Sequence, residues 1–185
     1  MKVLYILLLG VFVNISFGQS LSNLDAKNGF RHFKFGTFPS QIENIEKLDR
    51  EYSKSPYVTF YRYVGKDIEY LHDVKINYID LTFYNNKLCG IQIVFGDFDS
   101  SKTLTSSEFK RLLYALEQTY GKDWIYPEDR RGILINGAIW DAKNITLELL
   151  KFDLSKDKSD PRDYELGYIS ISHKRLYNQI YTNEF

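Results

Sequence analysis

The stretch KINYIDLTFYNNKLCGIQIVF, residues 75–95, decides the fold, because two alternating apolar strands, 75–84 and 87–95, flank a pair of asparagines. The apolar set of the first strand is Ile79, Leu81 and Phe83, and that of the second is Cys89, Ile91, Ile93 and Phe95. A two-residue Asn85-Asn86 turn would put these sets on opposite faces. We therefore predict a three-residue loop, 85–87, that pairs residue 83 with 89, 81 with 91 and 79 with 93. An Asn or Lys87 in the left-handed conformation would form a bulge there.

Upstream of this hairpin, a strand is predicted at 57–64, followed by a turn at 65–67 and a segment, 68–73, that the pattern leaves open. Still earlier, FKFGTFPSQIENI at 33–45 reads as a strand that ends at Phe35 and a helix that begins near Pro39. The capping-box spacing of Ser40 and Glu43 supports the helix. Its apolar stripe would be Ile42, Ile45, Leu48 and Tyr52, which predicts about three turns. A phosphate loop is disfavoured, because it needs several glycines and this stretch has one.

Downstream, the capping box of TSSE, residues 105–108, begins a second helix that Gly121 ends. Its apolar stripe is Phe109, Leu112, Leu113, Leu116 and Tyr120. Strands are then predicted at 132–140, 144–152 and 164–173. An even-length connection after Trp140 puts Trp140 and Ala138 on the face of Ile145, Leu147 and Leu149, so Trp140 is expected in the core.

These elements predict an α+β fold, a mostly antiparallel sheet with two amphipathic helices on one face. Each half of the chain runs from a helix into about three strands, which suggests a duplicated unit over about 30–96 and 103–173. The short joint between the halves favours one continuous sheet, and we expect a single domain over 19–185.

The first residues have the order of a secretory signal peptide. Lys2 precedes an apolar run from Val3 to Val13, and the small residues Ser16 and Gly18 follow. We expect a signal peptide at 1–18 and a periplasmic or secreted protein with no membrane span after its removal. No cysteine lies directly after the apolar run, where the bacterial lipoprotein route would acylate it.

Composition excludes several classes of protein. The chain has 24 Lys and Arg against 24 Asp and Glu, and this balance argues against nucleic-acid binding, which normally goes with a basic excess. Cys89 is the single cysteine, so no intramolecular disulfide forms, and its apolar neighbours favour a small core residue over a catalytic thiol.

No reactive motif emerges from the sequence. His32, His72 and His173 have no zinc-binding spacing, and no G-x-S-x-G elbow is present. The alternating acids of 153–165 suggest a calcium loop only faintly, because Lys158 stands at the glycine position and other cations intervene; a solvated hairpin loop is favoured. We therefore expect no catalytic residue, no metal and no cofactor.

Three segments together resemble a known architecture: F-K-F-G-T-x-P-S-Q-I, L-x-x-L-E-Q-T-Y-G, and A-I-W-D-A-K-N-I-T-L-E-L. The combination resembles small exported bacterial proteins of the β-lactamase-inhibitor-protein type, and is similar to small envelope modules of the outer-membrane assembly lipoprotein type. The resemblance covers residues 30–173 and implies a helix pair over a sheet that serves as a protein-binding surface. The missing acylated cysteine departs from the lipoproteins.

The sequence leads us to expect a non-enzymatic exported protein that binds another protein or a cell-envelope component. Tyr57, Tyr61 and Tyr63 lie on one strand face and are the candidates for partner contact, because tyrosine offers a large contact area at small entropic cost. The same face could instead cover the core. The alternative function is a small-molecule carrier or hydrolase with a pocket between sheet and helices.

Overall fold

A computed structural model gives the fold and describes residues 19–49, 55–96, 104–156 and 165–182. Within these residues the helices are α1 (Gln19–Lys27), α2 (Ser106–Tyr120) and α3 (Lys174–Thr182). The strands are β1 (Gly29–Phe30), β2 (Phe33–Lys34), β3 (Ile45–Leu48), β4 (Val58–Tyr63), β5 (Tyr70–Leu71), β6 (Val74–Tyr84), β7 (Lys87–Phe95), β8 (Leu134–Asp141), β9 (Ile145–Asp153) and β10 (Glu165–His173). The protein is α+β with antiparallel strands, as predicted.

Eight strands form one sheet in the order β3-β4-β6-β7-β10-β9-β8, with β5 paired to β6. Each half of the chain supplies a run of antiparallel neighbours, β4-β6-β7 and β8-β9-β10, and the runs join where Ile93 of β7 lies opposite Ile169 of β10. The sheet is continuous across the two halves. Their origin by duplication stays a prediction, as do the domain bounds 19–185.

Helix α2 begins and ends where its sequence predicts. The Thr105 hydroxyl accepts a hydrogen bond from the Glu108 backbone N–H at 3.2 Å, and the Glu108 carboxylate accepts from the Thr105 N–H at 2.8 Å. Gly121, with φ of 83°, follows the last helical residue. The buried residues of the helix are Phe109, Leu112, Leu116 and Tyr120, so this stripe holds α2 against the sheet.

The main core lies between α1, α2 and one face of the sheet. Leu24 of α1 is 1% exposed within it. Trp140 is fully buried and lies opposite Leu147, which confirms the predicted core position of Trp140 and the face that it shares with Leu147. The Trp140 indole N–H donates to the Gly121 carbonyl at 2.8 Å, so the one polar atom of this large side chain is satisfied inside the core.

The loop predicted for the β6–β7 hairpin is wrong, although the faces of its central pairs are right. Leu81 pairs with Ile91 and Ile79 with Ile93, as predicted, but Phe83 pairs with Leu88. Asn85 and Asn86 both have positive φ, 48° and 60°, and form the tight two-residue turn that consecutive asparagines tolerate. The extra residue lies in the strand as a bulge between the pairs Thr82–Gly90 and Phe83–Leu88.

The helix predicted from Pro39 is also wrong. Only a single 3₁₀ turn, Pro39–Gln41, forms, and the Gln41 side chain accepts a hydrogen bond from the Phe38 N–H at 3.0 Å. Asn44 then adopts a φ of 55°, and the chain continues as β3, in which Ile45 pairs with Tyr63. The helix that partners α2 is instead α1, which the sequence did not predict. The end of the predicted helix, 50–52, lies outside the described residues.

Helix α3 covers the opposite face of the sheet. The bulge turns Cys89 onto that face, where Cys89 is fully buried and forms a second core cluster with the buried residues Val58 and Tyr84. Leu176, Tyr177 and Ile180 of α3 pack against this second cluster. Cys89 is thus a core residue, as predicted, but on the other side of the sheet from Ile91.

The signal peptide predicted at 1–18 lies outside the described residues, so it stays a prediction. Among the residues that the structure describes, no helix has both the length and the apolar character needed to cross a bilayer.

Candidate functional site

A cavity of about 370 Å³ lies between the ends of α1 and α2, the hairpin of β1 and β2, and the core face of the sheet. Pockets that hold small molecules typically measure roughly 300–1,000 Å³. The cavity is therefore large enough for a small ligand.

The floor of the cavity is apolar. Its sheet side consists of Ile93, Leu147, Ile169 and Ile171, and Leu116 of α2 adds the helix side. The four sheet residues are at most 3% exposed, so the surrounding helix ends and hairpin already shield them from bulk water. These side chains come from three central strands, β7, β9 and β10, and from helix α2.

The rim of the cavity is cationic. Lys27 ends α1, Arg31 lies in the turn between β1 and β2, and Lys34 ends β2; all three are exposed and line the opening, together with His72. No carboxylate lines the cavity, and in the described part of the chain none forms an ion pair with Lys27, Arg31 or Lys34. The Asp67 carboxylate lies outside the lining but interacts electrostatically with Arg31, so the rim carries a net positive charge that is offset in part, although the chain as a whole is neutral.

Neutral groups hold the two lysines of the rim in place. The Lys27 ammonium donates to the Tyr120 hydroxyl at 3.3 Å and lies 4.8 Å from the ring centroid. Lys34 donates to the Lys27 carbonyl at 2.8 Å, and so caps the C-terminus of α1. Each lysine keeps further donor hydrogens that a ligand oxygen could accept.

Arg31 and His32 tie the turn of the β1–β2 hairpin to the segment after β4. The Arg31 guanidinium donates to the Asp67 carbonyl at 3.3 Å and to the Tyr70 carbonyl at 3.1 Å. Asp67 also accepts a hydrogen bond from the Tyr63 hydroxyl, and this bond, with smaller contributions from a backbone hydrogen bond and from the charges of His32 and Arg31, lowers the pKa of Asp67. Burial, followed by the same bond, raises the pKa of Tyr63 to about 12.

The tyrosines predicted as partner contacts are not brought together on the surface. Tyr57 is 55% exposed, but Tyr61 is half-buried and packs its ring edge-on against Phe83, at 5.2 Å between centroids. Tyr63 is buried and packs edge-on against Phe33, at 5.1 Å. The positions of Tyr61 and Tyr63 favour the alternative that this face covers the core.

The three histidines each make different contacts. His32 packs against Phe33 and Tyr63, His72 lies at the cavity rim, and His173 accepts a hydrogen bond from the Leu176 N–H at 3.5 Å. Across the described ranges, no cluster of three or more His, Cys, Asp or Glu is positioned to hold a metal ion. Of the acidic stretch 153–165, residues 157–164 fall outside the described part, and Asp153 pairs with Lys156 at 3.0 Å.

Polar side chains form a row across the opposite face of the sheet, away from the cavity. In register across five strands, the row consists of Arg62, Asp80, Gln92, Ser170 and Glu148. Arg62 and Asp80 form a two-pronged ion pair, at 2.9 and 3.2 Å. Burial raises the pKa of Glu148.

Sequence reasoning missed the residues of the cavity rim. A usable signal was present, because Lys27, Arg31 and Lys34 lie in a stretch, 26–42, that contains no acidic residue. What the sequence does not reveal is that this stretch folds as a hairpin over the apolar face of the sheet.

No family model matches this chain, and comparison with curated proteins and with solved structures found no significant match. The resemblance to the β-lactamase-inhibitor-protein and assembly-lipoprotein types stays a prediction.

Proposed function

We propose that this protein is a non-enzymatic binding protein that holds a small apolar molecule in the cavity between α1, α2 and the sheet. The observation that carries the proposal is the apolar floor of Ile93, Leu147, Ile169 and Ile171 beneath a rim of polar and cationic groups. Binding pockets combine an apolar lining with a small number of placed polar groups in this way.

The cavity favours the small-molecule alternative over recognition of a partner protein through a tyrosine face. Two of the three candidate tyrosines, Tyr61 and Tyr63, pack into the core side of the sheet. Of the three candidates, this leaves Tyr57 as the one exposed ring. One aromatic residue is a weak basis for a protein interface, because hot spots cluster. If the signal peptide at 1–18 is removed on export, the ligand would be one found in the periplasm or the medium.

The β1–β2 hairpin contributes Gly29, Phe30, Arg31 and Lys34 to the lining of the cavity. A ligand that fills the cavity would therefore contact this short hairpin directly. We therefore expect residues 28–36 to be the part of the chain whose amide hydrogen exchange slows most when the cavity is filled.

Calorimetric titration with straight-chain alcohols of increasing length tests the proposal. Each methylene moved from water into the cavity contributes about 0.8 kcal/mol, so Kd should fall about fourfold per carbon until the cavity is full. Absence of any chain-length dependence would contradict the proposal, as would recovery of one stoichiometric protein partner that binds equally well when the cavity is blocked.

Leu116→Phe provides the blocked cavity. Leu116 lines the floor and is 7% exposed, so the larger ring extends into the empty volume and should weaken alcohol binding at least tenfold. Leu113→Phe is the matched control, because Leu113 lies on the same helix and packs against the core without lining the cavity. It should leave the affinity unchanged.

A further inference from the structure

We infer that the ligand of the cavity is a single-chain amphiphile with an anionic head group, a carboxylate, sulfate or phosphate, which the rim of Lys27, Arg31 and Lys34 binds. This inference rests on the proposed function, since it assigns the head group of the ligand whose chain fills the apolar floor.

Charge is the first argument. Lys27, Arg31 and Lys34 carry three positive charges at one opening, and no carboxylate lines it. Helices α1 and α2 both end here, and the carbonyl end of each helix counts as roughly half a negative charge. The Asp67 carboxylate, which interacts with Arg31, offsets one further charge. The balance at the opening therefore stays at about +1, which attracts an anion.

Hydrogen-bond geometry is the second argument. Lys27 donates to the oxygen of Tyr120, so the Tyr120 hydroxyl proton is directed elsewhere and can donate to a head-group oxygen. Lys34 uses one of its three donors on the Lys27 carbonyl. Lysine and tyrosine donors around one opening suit an acceptor with several oxygens, which an alcohol or an ammonium group lacks.

The arrangement of floor and rim is the third argument. The apolar residues lie on the sheet and the cations on the helix end and the hairpin, so polarity changes once, from the floor to the opening. An amphiphile with its head at the rim matches this gradient, whereas a ligand that is charged along its whole length would bury charge on the floor.

The test compares four ten-carbon compounds, decanoate, decyl phosphate, decan-1-ol and decyltrimethylammonium, by calorimetry at low salt and at high salt. We expect the two anions to bind about tenfold more tightly than the alcohol at low salt and to lose most of that advantage at high salt. Decanoate and decyl phosphate distinguish a fatty acid from a phosphate ester as the natural source.

Two variants assign the effect to the rim. Lys34→Gln should weaken binding of decanoate about threefold and leave decan-1-ol unchanged, because the glutamine amide can still cap α1. Tyr120→Phe should do the same by removing the hydroxyl donor. Lys110→Gln is the control, since Lys110 is an exposed lysine of α2 that does not line the cavity.

The outcomes separate the two proposals. Equal affinity for decanoate, decan-1-ol and the ammonium compound overturns the anionic head group and leaves the apolar cavity standing. Failure of all four compounds to bind overturns both. An unchanged ratio of decanoate to decan-1-ol affinity in both Lys34→Gln and Tyr120→Phe also overturns the assignment to this rim.

Discussion

Lys27 and Tyr120, which are 93 residues apart in the chain, join the C-terminal ends of α1 and α2 at the cavity opening. The ammonium donates to the hydroxyl at 3.3 Å and lies 4.8 Å from the ring centroid. This contact joins the two helices at the cavity opening, so it contributes to the stability of the fold as well as to the rim.

Tyr120→Phe should lower the free energy of unfolding by about 1 kcal/mol, because it removes a partly buried hydrogen bond to a charged donor and keeps the ring. Urea denaturation followed by circular dichroism measures the change. Tyr114→Phe on the same helix is the control, since Tyr114 is 63% exposed and should lose almost nothing. A cost as large for Tyr114 as for Tyr120 would contradict the role of the contact.

Cys89 should not react with thiol reagents in the folded protein. It is fully buried beneath α3, and burial raises its pKa to about 12, so almost no thiolate exists at pH 8. We expect a chromogenic disulfide reagent to label Cys89 only as fast as the folded protein opens to expose it. In strong denaturant, labelling should be immediate. Rapid labelling of the folded protein would show that α3 does not cover this face.

Trp140→Phe should cost about 2 kcal/mol of stability, since it leaves a void and an unpaired Gly121 carbonyl in the core. Trp124→Phe should cost less than about 1 kcal/mol, because Trp124 is half-buried and donates to the Glu117 carboxylate at 3.0 Å near the surface. Urea unfolding monitored by far-ultraviolet circular dichroism compares the two variants without relying on tryptophan fluorescence. Equal costs would contradict the central position of Trp140.

The sequence predicted an element correctly where its local pattern and its packing in the fold favour the same structure. The capping box at Thr105 and the stop at Gly121 predicted the ends of α2, and the even-length connection predicted that Trp140 and Leu147 share a face. In both cases the helix or strand pattern and the burial demanded by the core point to the same structure.

The misses come from competition that the local pattern does not contain. Pro39 does begin a helical turn, but pairing of Ile45 with Tyr63 on the edge of the sheet replaces the helix that should follow. In the β6–β7 hairpin, parity required one extra residue without fixing its place. The two asparagines form a tight two-residue turn, and the extra residue is Cys89, which forms a bulge within β7. The cavity depends on how the hairpin of β1 and β2 folds over the sheet, which no short pattern encodes.

Glu148→Gln should stabilise the protein at pH 7 and not at pH 4. Burial raises the pKa of Glu148, so the folded state prefers the protonated acid. This preference adds stability below the pKa of the unfolded chain, and the stability is lost as pH rises through the higher folded value. Removing the charge should therefore gain about 1 kcal/mol at neutral pH. Urea unfolding at both pH values measures the difference, and Glu46→Gln, an exposed position, should show little change at either.

Gly29→Ala should destabilise the hairpin that closes the cavity more than Gly36→Ala does. Gly29 has φ of 135°, and an added Cβ would lie 2.0 Å from the Phe33 carbonyl oxygen, which is backbone and cannot turn aside. Gly36 also has positive φ, 86°, but an added Cβ meets nothing within 4 Å. Gly36→Ala thus reports the left-handed strain alone, about 1 kcal/mol, and we expect Gly29→Ala to cost about 2 kcal/mol or more. Urea unfolding gives both costs, and hydrogen exchange at 28–36 locates them. Equal costs for the two variants would contradict the close approach of Gly29 to the Phe33 carbonyl in this hairpin.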